Sequence, residues 1–337
     1  MTGPVALIAW CVLFAAISAA GTWLARGYAL RRRLLDAPGE RRSHEVATPR
    51  GGGIAIAVAA LAAMAALALR QPLEIVLLAC AGLGLLLVAG IGWVDDHRPL
   101  SPWSRLVVHG VAAGWLVAGL YLSGRSVPVA LLAGGSALVL VNVWNFMDGI
   151  DGIAGTQAVL VFAFLGATAG GGLPVHLGLA FSAAVLGFLP FNMPRARIFM
   201  GDVGSGTLGY LVALSLGLWF DRQPTTAWPL ALLPLSAFLL DAGLTLASRV
   251  LRGERWWLPH VGHAYQRWSR RAGSHMVPTL GFLSWTLLGS VSGLWWMGKG
   301  DKGIAMVVAV WLTAGCVLWV WLRRQPGPDA TSMEAGR

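Results

Sequence analysis

The chain has 337 residues, 56% of them hydrophobic and 12% charged, with a formal net charge of +10. A soluble domain carries about 25% charged residues, so a fraction this low, with repeated apolar runs of roughly 20 residues, makes lipid the solvent. A nucleic-acid partner is excluded, because the basic residues sit in loops between apolar segments and no recognition motif accompanies them.

Eleven apolar segments follow one another: residues 3–25, 51–69, 73–94, 105–122, 127–147, 152–170, 173–191, 204–220, 228–251, 277–297 and 303–322. They predict an all-α polytopic membrane protein with ten to eleven transmembrane helices. The first run has no basic stretch before it and no cleavage site, so it reads as a retained helix. The 44 glycines suit helices that pack closely in a bilayer. Cys11, Cys80 and Cys316 all fall inside apolar runs and read as small core residues. Without a repeat or a long linker, residues 1–324 form one transmembrane domain, with polar loops at 26–50, 95–105, 148–152, 192–203 and 252–276. Residues 325–337 read as a disordered tail.

Twenty of the 25 lysines and arginines fall in alternate loops and the C-terminal tail, leaving Arg70, Arg125, Arg222, Lys299 and Lys302 for the other side. The positive-inside rule then puts the N-terminus in the periplasm and the C-terminus in the cytoplasm. The acidic residues were not used in that count, yet their clusters fall on the same cytoplasmic side.

In chain order, RRSHEVATPRGGG offers His44 and Arg50, although its arginines also serve orientation. GIGWVDDHRPLSP holds Asp95 and Asp96. Adjacent carboxylates repel unless a cation or proton relieves them, so the pair is either a solvated turn or a group that handles Mg²⁺ and diphosphate. VNVWNFMDGIDGIAG spaces Asn145, Asp148 and Asp151 three apart, which on a helix gathers them near one face. FNMPRARIFMGDVGSGTLGY joins Asn192 and Asp202 to a glycine-rich helix start whose free N–H groups would favour phosphate; Gly204, Gly206 and Gly209 equally suit helix packing. LPHVGHAYQRWSRR brings together His260, His263 and Arg267, better suited to phosphate contact than to zinc, which lacks further ligands there. Asp241 lies inside the ninth span, as a functional acid or as a protonated helix-to-helix hydrogen bond.

Taken in order, GWVDDHRPLS, NVWNFMDGIDGIAG, FNMPRARIFMGDVGS and HVGHAYQR resemble the polyprenyl-phosphate N-acetylhexosamine-1-phosphate transferases. This group, glycosyltransferase family 4, includes initiating enzymes of O-antigen, enterobacterial common antigen and teichoic-acid linkage synthesis, and the phospho-MurNAc-pentapeptide translocase. The resemblance spans about residues 40–270 and includes SHEVATPRGGG. It implies transfer of a sugar-1-phosphate from a UDP-N-acetylhexosamine to undecaprenyl phosphate at the cytoplasmic face of a bacterial inner membrane, with release of UMP. It further implies Mg²⁺, with Mn²⁺ as a substitute, held by Asp202 with Asp148. Asp95, Asp96, Asp148 and Asp151 take catalytic roles, Asp95 as the acid that assists the lipid phosphate. His44, Arg50, Asn145, Asn192, His260, His263 and Arg267 take substrate-binding ones.

The translocase carries more histidines in its last cytoplasmic loop than this chain does, which argues against a MurNAc-pentapeptide donor. HAYQR resembles the O-antigen branch that uses QuiNAc or FucNAc donors, while GlcNAc and GalNAc stay open. Expected partners are the two substrates and membrane lipids, with a homodimer left open. The rival from another class is a transporter with an acidic cytoplasmic mouth. It would place ionisable groups near the midplane and show inverted repeats, but here the acids gather at one mouth.

Overall fold

The computed structural model describes residues 3–36, 46–255 and 261–325. His44, His260 and most of the expected tail therefore lie outside the described residues. Twelve helices follow in chain order: α1 (Pro4–Arg32), α2 (Ile54–Arg70), α3 (Ile75–His97), α4 (Pro102–Leu122), α5 (Val127–Met147), α6 (Ile153–Thr168), α7 (Leu173–Asn192), α8 (Gly201–Arg222), α9 (Leu232–Leu251), α10 (Ala264–Ala272), α11 (Met276–Trp296) and α12 (Asp301–Arg324). Among the described residues, nine helical segments are long and apolar enough to span a membrane. The other two expected spans are α2 and α6, of 17 and 16 residues. The architecture is that of an all-α polytopic membrane protein. Two details differ from expectation: α1 runs on to Arg32, and the loop after α9 contains the short helix α10. That helix escapes a hydropathy search because three arginines interrupt it.

The bundle is organised around α8. Its most apolar stretch is 94% buried, against 17% for α12, and α2, α3, α5, α6 and α7 all pack on it. Small residues make this possible. A Cβ on Gly53, at the start of α2, would collide with the Cα of Gly204 on α8. Without a hydrophobic drive between helices in lipid, such close approach supplies the packing energy.

The N-terminus of α8 is also held by the chain before α2. Strands β1 (Leu35–Asp36) and β2 (Thr48–Pro49) pair antiparallel, Leu35 with Pro49 and Asp36 with Thr48. Beyond β2, the N–H groups of Gly52 and Gly53 donate to the carbonyls of Phe199 and Met200 at 2.9 Å, and Phe199 N–H returns to Pro49 O at 2.8 Å. This zipper brings Arg50 and Gly51 beside the end of α3. At the opposite end of the bundle, Arg125 bonds Glu74 at 2.7 Å and approaches Asp221 at 3.6 Å, tying α4–α5 to the start of α3 and the end of α8.

Gly53→Val should force α2 away from α8. We expect a loss of about 1–3 kcal/mol in stability, read as a lowered thermal midpoint in detergent, whereas the same change at Gly114, which faces open space, should be nearly silent.

Candidate active site

The ends of α3, α5 and α7 and the starts of α6, α8 and α11 meet on one face, and five aspartates come with them. Asp95 and Asp96 close α3, Asp148 is the C-cap of α5, Asp151 lies in the turn before α6, and Asp202 opens α8. Gathering acids in this way is unfavourable unless other groups offset the repulsion, and four of the five have such groups, Arg105 serving both Asp95 and Asp202.

Asp95 and Asp202 approach within hydrogen-bond reach of each other. Arg105, from the first turn of α4, donates to both, at 2.9 Å to Asp95 Oδ2 and 2.7 Å to Asp202 Oδ2. Leu100 N–H donates to Asp95 Oδ1 at 2.6 Å. Arg105 was not singled out in the sequence. Its position ten residues after Asp95 became meaningful only once the turn at Pro99–Pro102 folded α4 back along α3.

Asp96 has a different task. Its carboxylate is buried and accepts from Asp202 N–H at 3.1 Å and Val203 N–H at 3.2 Å, so it caps α8. The expectation that these N–H groups stand free for a phosphate is corrected: an acid from α3 already fills the positive end of the helix. Arg50 lies within electrostatic reach of Asp96.

The Asn145–Asp148–Asp151 stretch is not one helical face. The helix ends at Met147, and the chain turns through Gly152, whose φ of 74° is the left-handed conformation glycine adopts freely. Asn145 faces α8, with Nδ2 3.4 Å from Ser205 Oγ. Asp151 is pinned: Ala196 N–H donates to its Oδ2 at 3.1 Å, and His275 Nδ1 lies 3.2 Å from its Oδ1. His275 is a further residue that the sequence gave no signal for. Asp148 is half-buried in the turn, and burial, with the charges of Asp96 and Asp151, pushes its pKa up to about 7.

Two expected binding residues, Asn192 and His263, are buried, and a third, Arg267, points towards α12. Asn192 is buried, accepting from Gly152 N–H at 3.0 Å and donating to Ile198 O at 3.1 Å, so it clasps the α5–α6 turn to the chain before α8. His263 is the N-cap of α10, buried 3.7 Å from Asp241. Arg267 donates to Arg323 O at 3.1 Å, on the α12 side of α10.

Asp241 is an acceptor from several directions. It takes Ala264 N–H at 2.8 Å, Tyr265 N–H at 3.0 Å, Thr245 Oγ1 at 3.1 Å and Trp319 Nε1 at 3.2 Å. Asp241 therefore makes helix-to-helix hydrogen bonds, anchoring the N-terminus of α10 and accepting from Trp319 of α12. Tyr265 then reaches across, its hydroxyl donating to Phe146 O at 3.0 Å beside Gly149. Burial first, then the charges of Asp241 and Asp148, raises its pKa well above the usual value and keeps it a donor.

Residues 78–219, which hold all five aspartates, match the model of glycosyl transferase family 4. The resemblance to that family is thereby shown. Relatives agree along most of the chain. A probable undecaprenyl-phosphate N-acetylglucosaminyl 1-phosphate transferase of Bacillus subtilis is 26% identical over 77% of this chain and 76% of its own. A decaprenyl-phosphate N-acetylglucosaminephosphotransferase of Mycobacterium leprae is 28% identical over 86% of this chain and 83% of its own. A phospho-N-acetylmuramoyl-pentapeptide-transferase of a Synechococcus strain is 37% identical over 44% of this chain and 49% of its own.

Among the described residues, no three acid or histidine groups converge as a preformed metal cage. Asp95 and Asp202 nevertheless offer two carboxylates in contact, a hard-oxygen donor set. This fits Mg²⁺, which is commonly bound by one or two carboxylates together with substrate phosphate oxygens.

Two outcomes follow from these contacts. Because the pKa of Asp148 rises on folding, the fold loses stability as pH climbs from about 4 to about 7 and gains nothing back above that. Asp148→Asn should therefore stabilise the metal-free protein more at pH 8 than at pH 5, measured by thermal unfolding. Asp241→Ala should orphan the buried N–H groups of Ala264 and Tyr265 at about 1–3 kcal/mol each, and make the α9–α11 connection more sensitive to limited proteolysis.

Proposed function

We propose that the chain transfers an N-acetylhexosamine-1-phosphate from a UDP-sugar to a polyprenyl phosphate, undecaprenyl phosphate by expectation, at the cytoplasmic face of a bacterial inner membrane. The observation that carries this reading is the pairing of Asp95 and Asp202 across Arg105 at one end of a transmembrane bundle, with Asp148 in electrostatic reach of the neighbouring Asp96 and Asp151. The 20 of 25 basic residues on that same side favour the cytoplasm.

In the reaction, an oxygen of the lipid phosphate attacks the sugar-bearing phosphorus of the UDP-sugar. The bond between the two donor phosphates breaks, UMP leaves, and a new diphosphate joins lipid and sugar. Phosphoryl transfer of this kind depends on positioning and on neutralising phosphate charge. Mg²⁺, when bound at Asp202 with Asp148 or Asp95, would offset charge on the donor diphosphate. Arg105 supplies a fixed positive charge at the same point. Asp95, held by Leu100 N–H and Arg105, is placed to orient or deprotonate the acceptor phosphate. Asp151 keeps the Asp148 turn in place through Ala196 and His275. Arg50 and Asn145 border the group and are our candidates for contact with the nucleotide sugar.

The resemblance of HAYQR to the O-antigen branch is what favours a 6-deoxy N-acetylhexosamine donor and a role in O-antigen initiation, with GlcNAc as the alternative donor. A panel of UDP-GlcNAc, UDP-GalNAc, UDP-QuiNAc and UDP-FucNAc with purified protein and undecaprenyl phosphate, scored by UMP release, decides among the donors. No UMP from any donor with folded protein would overturn the enzyme reading.

Asp202→Asn should abolish turnover while membrane insertion persists, because it removes charge at the metal rather than packing. Wild-type turnover should vanish on chelation and return with Mg²⁺; normal turnover by the variant at ordinary Mg²⁺ sinks the metal assignment.

A further inference from the structure

Helices α11 and α12 both lean on α9 but scarcely touch each other, and α10 roofs the wedge between them. The wedge is a cavity of about 240 Å³ with an almost wholly apolar lining that includes Leu240, Phe282, Trp285, Leu288, Leu318 and Trp319. Leu288 and Leu318 stand on the outer surface of the bundle, so the cavity opens sideways towards the hydrocarbon of a bilayer. A space of this kind is stabilised by hydrocarbon and not by water.

Asp241 is the one ionisable residue of the lining, and the cationic groups stand just beyond the cavity's Trp319–Leu322 end. The Arg323 guanidinium lies over the Trp319 ring, 4.7 Å from the centroid, and donates to Ser248 Oγ at 3.0 Å. Arg267 donates to the Arg323 carbonyl, and both Arg267 and Arg252 lie within electrostatic reach of Arg323. Among the described residues, the acids that face this group are Asp241 and Glu254. Asp241 is occupied by the N-terminus of α10, Thr245 and Trp319, and Glu254 by Arg249 at 2.9 Å and Arg252 at 3.7 Å. Positive charge is thus left in excess where the apolar wedge meets the headgroup level. Burial and the like charge of Arg267 lower the pKa of Arg270 and Arg271 close by.

We propose that this wedge binds an anionic glycerophospholipid, with its phosphate at Arg323, Arg267 and Arg252 and one acyl chain in the cavity between α11 and α12. Charge complementarity commits the site to an anionic headgroup, and the lateral opening commits it to a membrane lipid. Asp241 lines the wedge, but the site is separate from the five aspartates of the candidate active site. α10 stands between them, with Tyr265 reaching the Asp148 turn on one side and Trp268 lining the wedge on the other. The inference rests only on placing α9, α11 and α12 in a bilayer, so it stands or falls independently of the proposed reaction.

The test is native mass spectrometry of the full chain in detergent, titrated with dioleoylphosphatidylglycerol or dioleoylphosphatidylcholine. We expect the anionic lipid to bind at least about five-fold more tightly, since each basic residue near an anionic headgroup contributes about that factor. Arg323→Gln should weaken it about five-fold. Ser284→Trp, which fills the apolar part without changing charge, should weaken both lipids. A thermal midpoint measured for each variant separates a lost site from a lost fold; if Arg323→Gln fails to fold, Arg252→Gln and Ser284→Trp read the same site. Equal retention of the two lipids, or no effect of the variants, overturns the proposal. Displacement by undecaprenyl phosphate more readily than by phosphatidylglycerol also overturns it, because the wedge would then hold the acceptor's tail. Displacement by inorganic phosphate alone overturns the acyl-chain part.

Discussion

A helix enclosed along almost its whole length cannot leave its first N–H groups to water, and α8 is such a helix. The bond from Asp96 to the N–H groups of Asp202 and Val203 answers that constraint. It also fixes everything around it. The cap joins the end of α3 to the start of α8, so Asp95, next to Asp96, and Asp202, at the start of α8, must lie side by side. Arg105 then has a pair of carboxylates to bridge, and the glycine strip Arg50–Gly53 has a place to zip against Phe199 and Met200. The acidic centre is a consequence of how the central helix is begun.

The same device occurs once more. Asp241, inside α9, accepts from the first N–H groups of α10 and so brings a polar segment down onto the bundle. In each case a carboxylate placed in or near lipid is offset by the positive end of a helix, which limits the cost of burying the charge. The two caps divide the labour. The Asp96 cap shapes the aspartate cluster, and the Asp241 cap carries Tyr265 to the Asp148 turn on one side of α10 and Arg267 to α12 on the other.

Charge is distributed unevenly between these regions. Around Arg105 negative charge is in excess, and close by, burial together with the charges of Asp96 and Asp151 raises the pKa of Asp148. A site in this state is suited to a cation and to the cation's phosphate partners. At the ends of α9 and α12 the excess is positive, over an apolar wedge. One end of one bundle therefore presents two surfaces of opposite sign with α10 between them.

The sequence by itself determined the membrane setting and the order of the apolar helices, nine of them long enough to span among the described residues, because hydropathy and charge at loop boundaries are properties of the chain read locally. It also determined that Asp95, Asp96, Asp148, Asp151 and Asp202 share one face, since alternate loops must fall on one side. The division of roles among those aspartates came only from the tertiary structure. Asp95 and Asp96 are neighbours of like chemistry, yet one meets Arg105 and the other a helix N-terminus, because successive residues on a helix point about 100° apart. Asn192, His263 and Arg267 looked like ligand contacts in the sequence, but packing turned Asn192 to the backbone of Gly152 and Ile198, His263 towards Asp241, and Arg267 to the Arg323 carbonyl. Arg105 and His275 carried no local signal at all, because their partners lie in other helices and become neighbours only when α3, α4, α6, α8 and α11 close together.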